Sequence, residues 1–321
     1  MQPVSAIAHA NIALIKYWGK APGDGNLPAT GSLSLTLDCF FTQTVIQKSN
    51  QDRFILNGIE QTGERLARVQ AFLDLVRVKK IACEVISENH VPTQSGLASS
   101  ASGFAALACA ANQFFALGLD NRALSELARR GSGSAARSIF PGLARMHREG
   151  YAEGIDARKL DLNMLVVHCS NLEKQVDSRT AMNLTAQTSA YYPEWISSHQ
   201  ADLDDALKAV WHGDFKKLGE LTEYSTLKMH ASMLAARPAI WYFEPLSWAV
   251  MNAVRDWRRQ GLQAYFTLDA GPHVKVLCQS NDVGVLKTGL EKIPGVLKVQ
   301  HAKPGPGAYL LAGHSFREGR V

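Results

Sequence analysis

A chain of 321 residues, 46% hydrophobic and 20% charged, has the mixture of a soluble globular protein and is long enough to bury a large core and to divide into about two domains. No run approaches the roughly 20 apolar residues needed to cross a bilayer, and Met1 to Ala10 lacks the basic start and apolar block of a secretion signal, so a cytoplasmic location with no membrane partner is expected. The formal net charge of +5 is spread along the chain, which argues against a nucleic-acid partner and leaves room for anionic small molecules.

Ser32 to Leu37 alternates Ser and Thr with Leu, the period of a strand. Thr42 to Gln47 is rich in β-branched residues, and Arg53 to Leu56 runs into Asn57-Gly58, a strong hairpin signal. Glu64 to Val78 predicts an amphipathic helix with Leu66, Val69, Phe72, Leu73 and Val76 on one face. The densest basic run, Arg77, Lys79 and Lys80, reads as its solvated end. Ile81 to Ser87 returns to strand. An Ala-rich helix follows over Ser99 to Leu117 and another over Asn121 to Arg130, with Ser132 or Ser134 placed to cap a third.

Beyond about residue 162 the pattern changes. A strand is predicted at Met164 to His168, then long helical stretches between Thr180 and Leu234 and from Leu246 to Arg259. Gln263 to Leu268 and Val274 to Gln279 read as strands around the Ala270-Gly271-Pro272 turn, before one more helix and one or two strands. Strands then helices in each half predict an α+β fold of two domains with the boundary near residues 160 to 190, drawn as 1–180 and 181–321. Five widely spaced cysteines without a CxxC pair indicate neither a disulfide framework nor a cysteine-rich zinc site, and read as structural thiols.

Four segments carry possible chemistry. Pro92 to Gly103 (PTQSGLASSASG) sets Gly and Ser where a strand gives way to a helix. Small residues let backbone N–H groups approach an anion, and the helix start adds partial positive charge; a Ser-rich cap is the other reading. Arg130 to Ser138 (RGSGSAARS) repeats the theme between arginines, for a second anionic group or as a helical hairpin turn. In Asn11 to Lys20 (NIALIKYWGK), Lys16 and Lys20 are four apart around Tyr17 and Trp18, either a solvated pair or a cationic pocket wall. Asp269 ends an apolar strand before a glycine turn, as a turn former or as a displayed catalytic carboxylate. Two anion loops, several cations and one carboxylate together fit ATP-dependent phosphoryl transfer to an anionic small molecule.

With these residues in view, Pro92 to Gly103 resembles the ATP-phosphate loop of the GHMP kinases. NIALIKYWGK, RRGSGSAARS (Arg129 to Ser138) and FTLDAGP (Phe266 to Pro272) narrow the resemblance to the diphosphomevalonate decarboxylases. Weaker similarity runs through Asn26-Leu27-Pro28, Lys174 to Met182, Met229-His230-Ala231 and Pro238, so it covers nearly the whole chain in order. The resemblance implies a two-domain α+β GHMP kinase fold with the active site in a cleft between domains, a homodimer, and ATP with Mg²⁺ as cofactors. It implies conversion of mevalonate 5-diphosphate into isopentenyl diphosphate, ADP, phosphate and CO2.

Residue by residue, it assigns Asp269 to the substrate C3 hydroxyl, as base or orienting acceptor, and Arg137 to the substrate carboxylate. Ser132 and Ser134 match substrate-contacting serines. Tyr17, Lys20 and Arg179 match residues that grip the substrate through its diphosphate, and Ser178 matches a serine near the reacting phosphate. Lys16 belongs close to the catalytic centre. Gly96, Leu97, Ala98, Ser99 and Ser100 match the ATP-phosphate loop, and no dedicated metal ligand is assigned. Departures from the family pattern are Ala136 before the loop arginine, Pro141-Gly142-Leu143 after it, and His273 after Asp-Ala-Gly-Pro. A kinase or decarboxylase acting on mevalonate or its 5-phosphate, and a non-catalytic ATP- or metabolite-binding protein, are the alternatives.

Overall fold

The computed structural model describes residues 2–23, 25–77, 81–90, 99–170 and 176–312. Its first half is β1 (Val4–Ile15), β2 (Ser32–Lys48), β3 (Arg53–Leu56), β4 (Ile59–Gln61), α1 (Gly63–Leu73), β5 (Cys83–His90), α2 (Ser99–Phe114), α3 (Asn121–Gly131), a 3₁₀ turn over Gly133–Ile139, β6 (Leu143–Met146) and β7 (Ala152–Ile155). The second is β8 (Asn163–His168), α4 (Ser178–Thr188), α5 (Tyr192–His212), α6 (Phe215–Leu234), α7 (Pro245–Arg259), β9 (Ala264–Leu268), β10 (Val274–Cys278), α8 (Val283–Glu291), β11 (Lys298–Ala302) and β12 (Tyr309–Leu310).

The first sheet runs β12-β1-β2-β5-β3-β4, with β6 on β2 and β7 on β6; the second runs β11-β8-β10-β9. The two strands predicted from Ser32 and Thr42 are one long strand, β2, whose two ends pair with different neighbours: β6 at Ser32 to Leu35 and β5 from Phe41 onward. β1 is buried along nearly its whole length. A strand covered on both faces shows a continuous apolar run rather than alternation, so periodicity does not reveal it. Asn57 and Gly58 turn the β3–β4 hairpin with φ of 51° and 76°, as their pairing predicts. α1 stops at Leu73, five residues short of the predicted end, where the Asp74 N–H closes the last turn on Gln70 and Phe72.

Three layers of packing hold these sheets. The Ala-rich α2 lies against β1 and β2, where Ala105, Ala106, Ala108 and Ala110 are fully buried and let the helix approach closely. α1 and α3 complete that layer. The opposite face of the first sheet meets α5, α6 and the second sheet in one continuous core that includes Ile12, Leu14, Leu33, Leu35, Val166, Leu207, Tyr265 and Leu277. α7 and α8 cover the outer face of the second sheet. A further cluster of Trp18, Met182, Trp195, Met229, Met233 and Ala270 seats the chain just after β1 against α4, α5, α6 and the turn after β9.

This is the expected two-domain α+β GHMP-like architecture. By sheet membership β8 goes with the second half, since it pairs on both sides with strands of that half. The chain end then returns to the first sheet, with Ala6 opposite Leu310 and Ile7 opposite Tyr309. All five cysteines are free.

Candidate active site

Three segments from distant parts of the chain meet at Asp269. It follows the last residue of β9 and begins a turn closed by the Gly271 N–H on its own carbonyl, 2.9 Å away. Lys16, the first residue beyond β1, donates from Nζ to Asp269 Oδ1 at 2.6 Å. Its backbone N–H is tied to Ser225 Oγ of α6 at 2.9 Å. A second ammonium, Lys275 Nζ of β10, stands 3.1 Å from Asp269 Oδ2. Both lysines are almost fully buried, while 29% of the Asp269 side chain stays exposed. Burial alone would raise the Asp269 carboxyl, but the charges and hydrogen bonds of Lys16 and Lys275 overcome it and hold the group well below the usual carboxylate range. Burial lowers Lys16 to about 8 against the opposing pull of Asp269. His230 of α6 faces the same group; burial, then the Lys16 charge, lowers it to about 3, so it stays neutral.

Arg137 lies in the 3₁₀ turn, only 2% exposed. Its Nε donates to Asn11 Oδ1 at 3.2 Å and Ser34 Oγ at 3.0 Å, and its Nη1 to Ser32 Oγ at 2.6 Å. The Ser–Leu alternation of β2 thus has a double use: Leu33, Leu35 and Leu37 enter the core while Ser32 and Ser34 line the guanidinium. Asn11 Nδ2 also donates to the Ser134 carbonyl at 3.0 Å and Ser138 Oγ at 2.8 Å, pinning the turn to β1. Every acceptor around Arg137 is neutral, and among the described residues it forms no ion pair within 4.0 Å. Burial lowers it to about 10, which leaves it charged at neutral pH. Ala136, the departure beside it, is wholly buried against Met146 and Ala152, so its site takes only a small side chain.

Tyr17 links this end of the cleft to the next. Its ring lies 5.7 Å from the Arg137 guanidinium carbon, and its buried hydroxyl, pushed up to about 12 chiefly by burial, also feels Arg129 and Arg179. A Cβ at Gly133 would sit 2.2 Å from that hydroxyl, which explains a glycine at this point of the loop. Gly19 adopts φ +96°, and a Cβ there would strike Tyr192 at 1.9 Å. This bend, together with the Trp195 Nε1 donation to the Trp18 carbonyl at 3.0 Å, sends Lys20 away from Lys16. The two lysines therefore have different partners. Lys20 Nζ instead donates to Asn26 Oδ1 at 2.7 Å, and Asn26 Nδ2 donates to the Arg130 carbonyl at 2.8 Å.

Burial first, then the neighbouring charges of Arg179 and Arg68, depress Lys20; burial and Arg179 depress Arg68. Three cations thus crowd together, and among the described residues none of them has a carboxylate within 4.0 Å. Arg179 is exposed at the start of α4, where the Asp177 side chain caps the N–H groups of Arg179 and Thr180; Ser178 is the first residue of that helix. Ser132 stands between Ser100 and Ser134, with hydroxyl separations of 3.3 and 3.4 Å, so the start of α2 borders the 3₁₀ turn. Gly96, Leu97, Ala98 and the Ser99 side chain lie outside the described residues; the Ser99 backbone opens α2.

Sequence reasoning missed Lys275 and Arg68. Lys275 left a signal: a lone charge inside the apolar strand VKVLC is costly unless paired. Arg68 left none, being one of several polar residues on the open side of α1. The departure at His273 is absorbed behind the turn, where its Nδ1 accepts the Cys169 N–H at 3.1 Å.

The chain is similar to known proteins over nearly its whole length. Residues 8–157 match the family model for a diphosphomevalonate decarboxylase-like N-terminal domain, and residues 164–302 that for a mevalonate 5-diphosphate decarboxylase C-terminal domain. The chain is 31% identical to the diphosphomevalonate decarboxylase of Candida albicans over 86% of this chain and 84% of that one. A solved structure of MDDEF in complex with MVAPP, AMPPCP and magnesium is 44% identical, with a TM-score of 0.91 over 97% of this chain and 99% of that one. Another, concerning mevalonate diphosphate mediated ATP binding in the mevalonate diphosphate decarboxylase from Enterococcus faecalis, is 42% identical, again with a TM-score of 0.91 and the same coverage.

Proposed function

Given that the chain belongs to the diphosphomevalonate decarboxylase family, we propose that it converts mevalonate 5-diphosphate and ATP into isopentenyl diphosphate, ADP, phosphate and CO2. The carrying observation is one strip of charge, from Asp269 with Lys16, through Arg137 and Tyr17, to Lys20, Arg68 and Arg179. It matches a substrate with a reacting hydroxyl and carboxylate at one end and a diphosphate at the other.

The C3 hydroxyl of the substrate is tertiary and a poor leaving group. Transfer of the ATP γ-phosphoryl group to its oxygen releases ADP and leaves a C3 phosphate ester, the hydroxyl proton passing to Asp269 or to solvent. As the C3–O bond breaks, the C1–C2 bond releases CO2 and its electron pair forms the C2=C3 double bond. Asp269, ionised between its two lysines, faces the hydroxyl as base or orienting acceptor. Arg137 holds the carboxylate, its cradle of neutral oxygens leaving its charge for the substrate. Lys20, Arg179 and Arg68 hold the diphosphate. Ser132 and Ser134 border the substrate, and Ser178 the transferring phosphate.

ATP phosphates meet the start of α2, whose N-terminal N–H groups and Ser100 hydroxyl suit phosphate oxygens. Among the described residues no group of three His, Cys, Asp or Glu is placed to hold a metal. Oxygen donors such as the Ser100 hydroxyl, together with nucleotide phosphates and water, form the kind of set Mg²⁺ takes. When bound, Mg²⁺ supplies charge neutralisation across those phosphates. No helix among the described residues is long and apolar enough to cross a membrane, and the family resemblance supports a homodimer.

The test offers mevalonate, its 5-phosphate and its 5-diphosphate separately with ATP and Mg²⁺, and measures ADP and CO2. Equal release from the diphosphate alone is expected. ADP without CO2 would make the protein a C3 kinase, and neither product from any substrate would favour a binding protein.

A further inference from the structure

Lys275 has no counterpart in the roles given so far. It is the second residue of β10, opposite Thr267 of β9 and Val166 of β8. Alternation sends Val274, Val276 and Cys278 into the core under α7 and α8, and Leu277 toward the first sheet. Lys275 shares the Leu277 phase, and its ammonium emerges beside the Asp269 turn, with 2% of its side chain exposed. A lysine this deep carries a heavy desolvation cost unless a carboxylate answers it. Among the described residues, Asp269 Oδ2 at 3.1 Å is its ion-pair partner.

One carboxylate therefore holds two buried ammoniums, one per oxygen, and the cluster keeps a net positive charge. Lys16 and Lys275 differ in what they can do next. Lys16 sits at the end of β1 on the segment that leads to Tyr17 and Lys20, and it also feels the charge of Arg137. Lys275 is fixed inside a strand paired on both sides. When an incoming phosphate competes for Lys16, the carboxylate retains a counter-charge only if Lys275 stays.

We propose that Lys275 is a positioning residue for the reaction: by holding Asp269 Oδ2 it fixes the carboxylate plane, keeps Asp269 ionised and frees Lys16 to engage the transferring phosphoryl group. This rests on the reading that Asp269 faces the substrate hydroxyl. The titratable or charged groups facing Asp269 are Lys16 beyond β1, Lys275 on β10, His230 on α6 and Arg137 on the 3₁₀ turn. His230 is neutral throughout the working range and Arg137 stays charged, so of these four groups the carboxylate is the one whose acid titration Lys275 can move, and a limb set by substrate phosphates would stay the same in the variants.

Lys275→Met and Lys275→Arg test the assignment. In Lys275→Met, kcat for ADP and CO2 release should fall about 100-fold, while the KM for ATP changes less than about threefold. The acid limb of kcat should move up toward the ordinary aspartate range, near pH 4 or above. Lys275→Arg, which keeps the charge, should restore most of the rate and return the limb downward. A loss of thermal stability with kcat and the acid limb unchanged would overturn the proposal, leaving Lys275 a purely structural ion pair. The carboxyl-carbon NMR titration of Asp269 in wild-type protein, assigned by its disappearance in Asp269→Asn, provides the check should Lys275→Met not fold. Titration at or above the ordinary aspartate value would also overturn it. That titration needs no turnover, so a wild-type protein that releases no ADP or CO2 would sink the functional reading while the NMR result still decides this one.

Discussion

The two ends of the cleft treat positive charge in opposite ways. At Asp269 the cations are already answered, with Lys16 on one carboxylate oxygen and Lys275 on the other. Toward Lys20 the cations have, among the described residues, no carboxylate within 4.0 Å: Lys20 bonds to an amide oxygen, Arg68 to the Gly131 carbonyl at 3.3 Å, and Arg179 lies exposed within electrostatic reach of both, while Asp177 and, for Arg68, Glu64 act only at longer range. Arg137, between the ends, follows the second pattern with three neutral oxygens. A group that acts on a neutral hydroxyl must be fixed before substrate arrives, because the substrate brings no charge to fix it. Groups that hold a carboxylate or a diphosphate are better left unpaired, since the ligand supplies the missing anion and an internal carboxylate would compete with it.

The comparison breaks most severely at its paired end. Asp269→Asn should cut turnover by about 10³-fold or more while ATP affinity, read by calorimetry, stays near wild type. Two buried ammoniums then share an amide oxygen, so the melting temperature should fall as well. Retention of more than about a tenth of the wild-type kcat would remove Asp269 from the centre of the mechanism. Arg137→Lys comes next, with an expected loss of about 100-fold in kcat: one ammonium cannot bond Asn11, Ser32 and Ser34 and still present a planar fork to a carboxylate. A near-normal rate would mean that the substrate carboxylate binds elsewhere.

How far this division was legible in the sequence depends on whether a residue's neighbours are local. Asp269 and its glycine turn, the small-residue loop around Arg137 and the Tyr17–Lys20 segment were visible because each is a short run of unusual chemistry. The Ser phase of Ser32 to Leu37 was legible as a strand face, but that it cradles Arg137 was not, since the partners lie more than 100 residues apart. β1 left no alternation because both its faces are buried. The partner of Lys275 could not be inferred, because a buried lysine is explained only by the side chain it meets, and the β9–β10 hairpin settles that in three dimensions. The change of pattern after about residue 162 was legible, but which strands β8 joins was not, since strand membership is a matter of hydrogen-bonding partners rather than of composition.

At the unpaired end the expected losses are in binding. Lys20→Ala or Arg68→Ala should raise the KM for the diphosphate about 10-fold while changing that for ATP less than about twofold, since each removes one cation from a cluster the substrate neutralises. Arg68→Ala is the sharper probe, because the resemblance of short motifs did not single it out. An equal rise in both constants would move these cations to the nucleotide side.

The smallest expected effect is set by pH. Burial lowers Lys16 to about 8, so in the free enzyme its ammonium is lost as pH rises past that point, and kcat/KM for the diphosphate should be halved near pH 8 and decline further above it. An incoming phosphate favours the charged form, so the corresponding limb in kcat should lie at higher pH. The sign for stability is the reverse. Between about 8 and the ordinary lysine value the unfolded chain binds more protons at this residue than the folded one, so the contribution of Lys16 to stability rises with pH across that window. Activity lost together with thermal stability above pH 8 would therefore point to general unfolding. Activity lost while the melting temperature holds would locate the titration at Lys16, and Lys16→Arg, whose guanidinium does not deprotonate in this range, should abolish the limb.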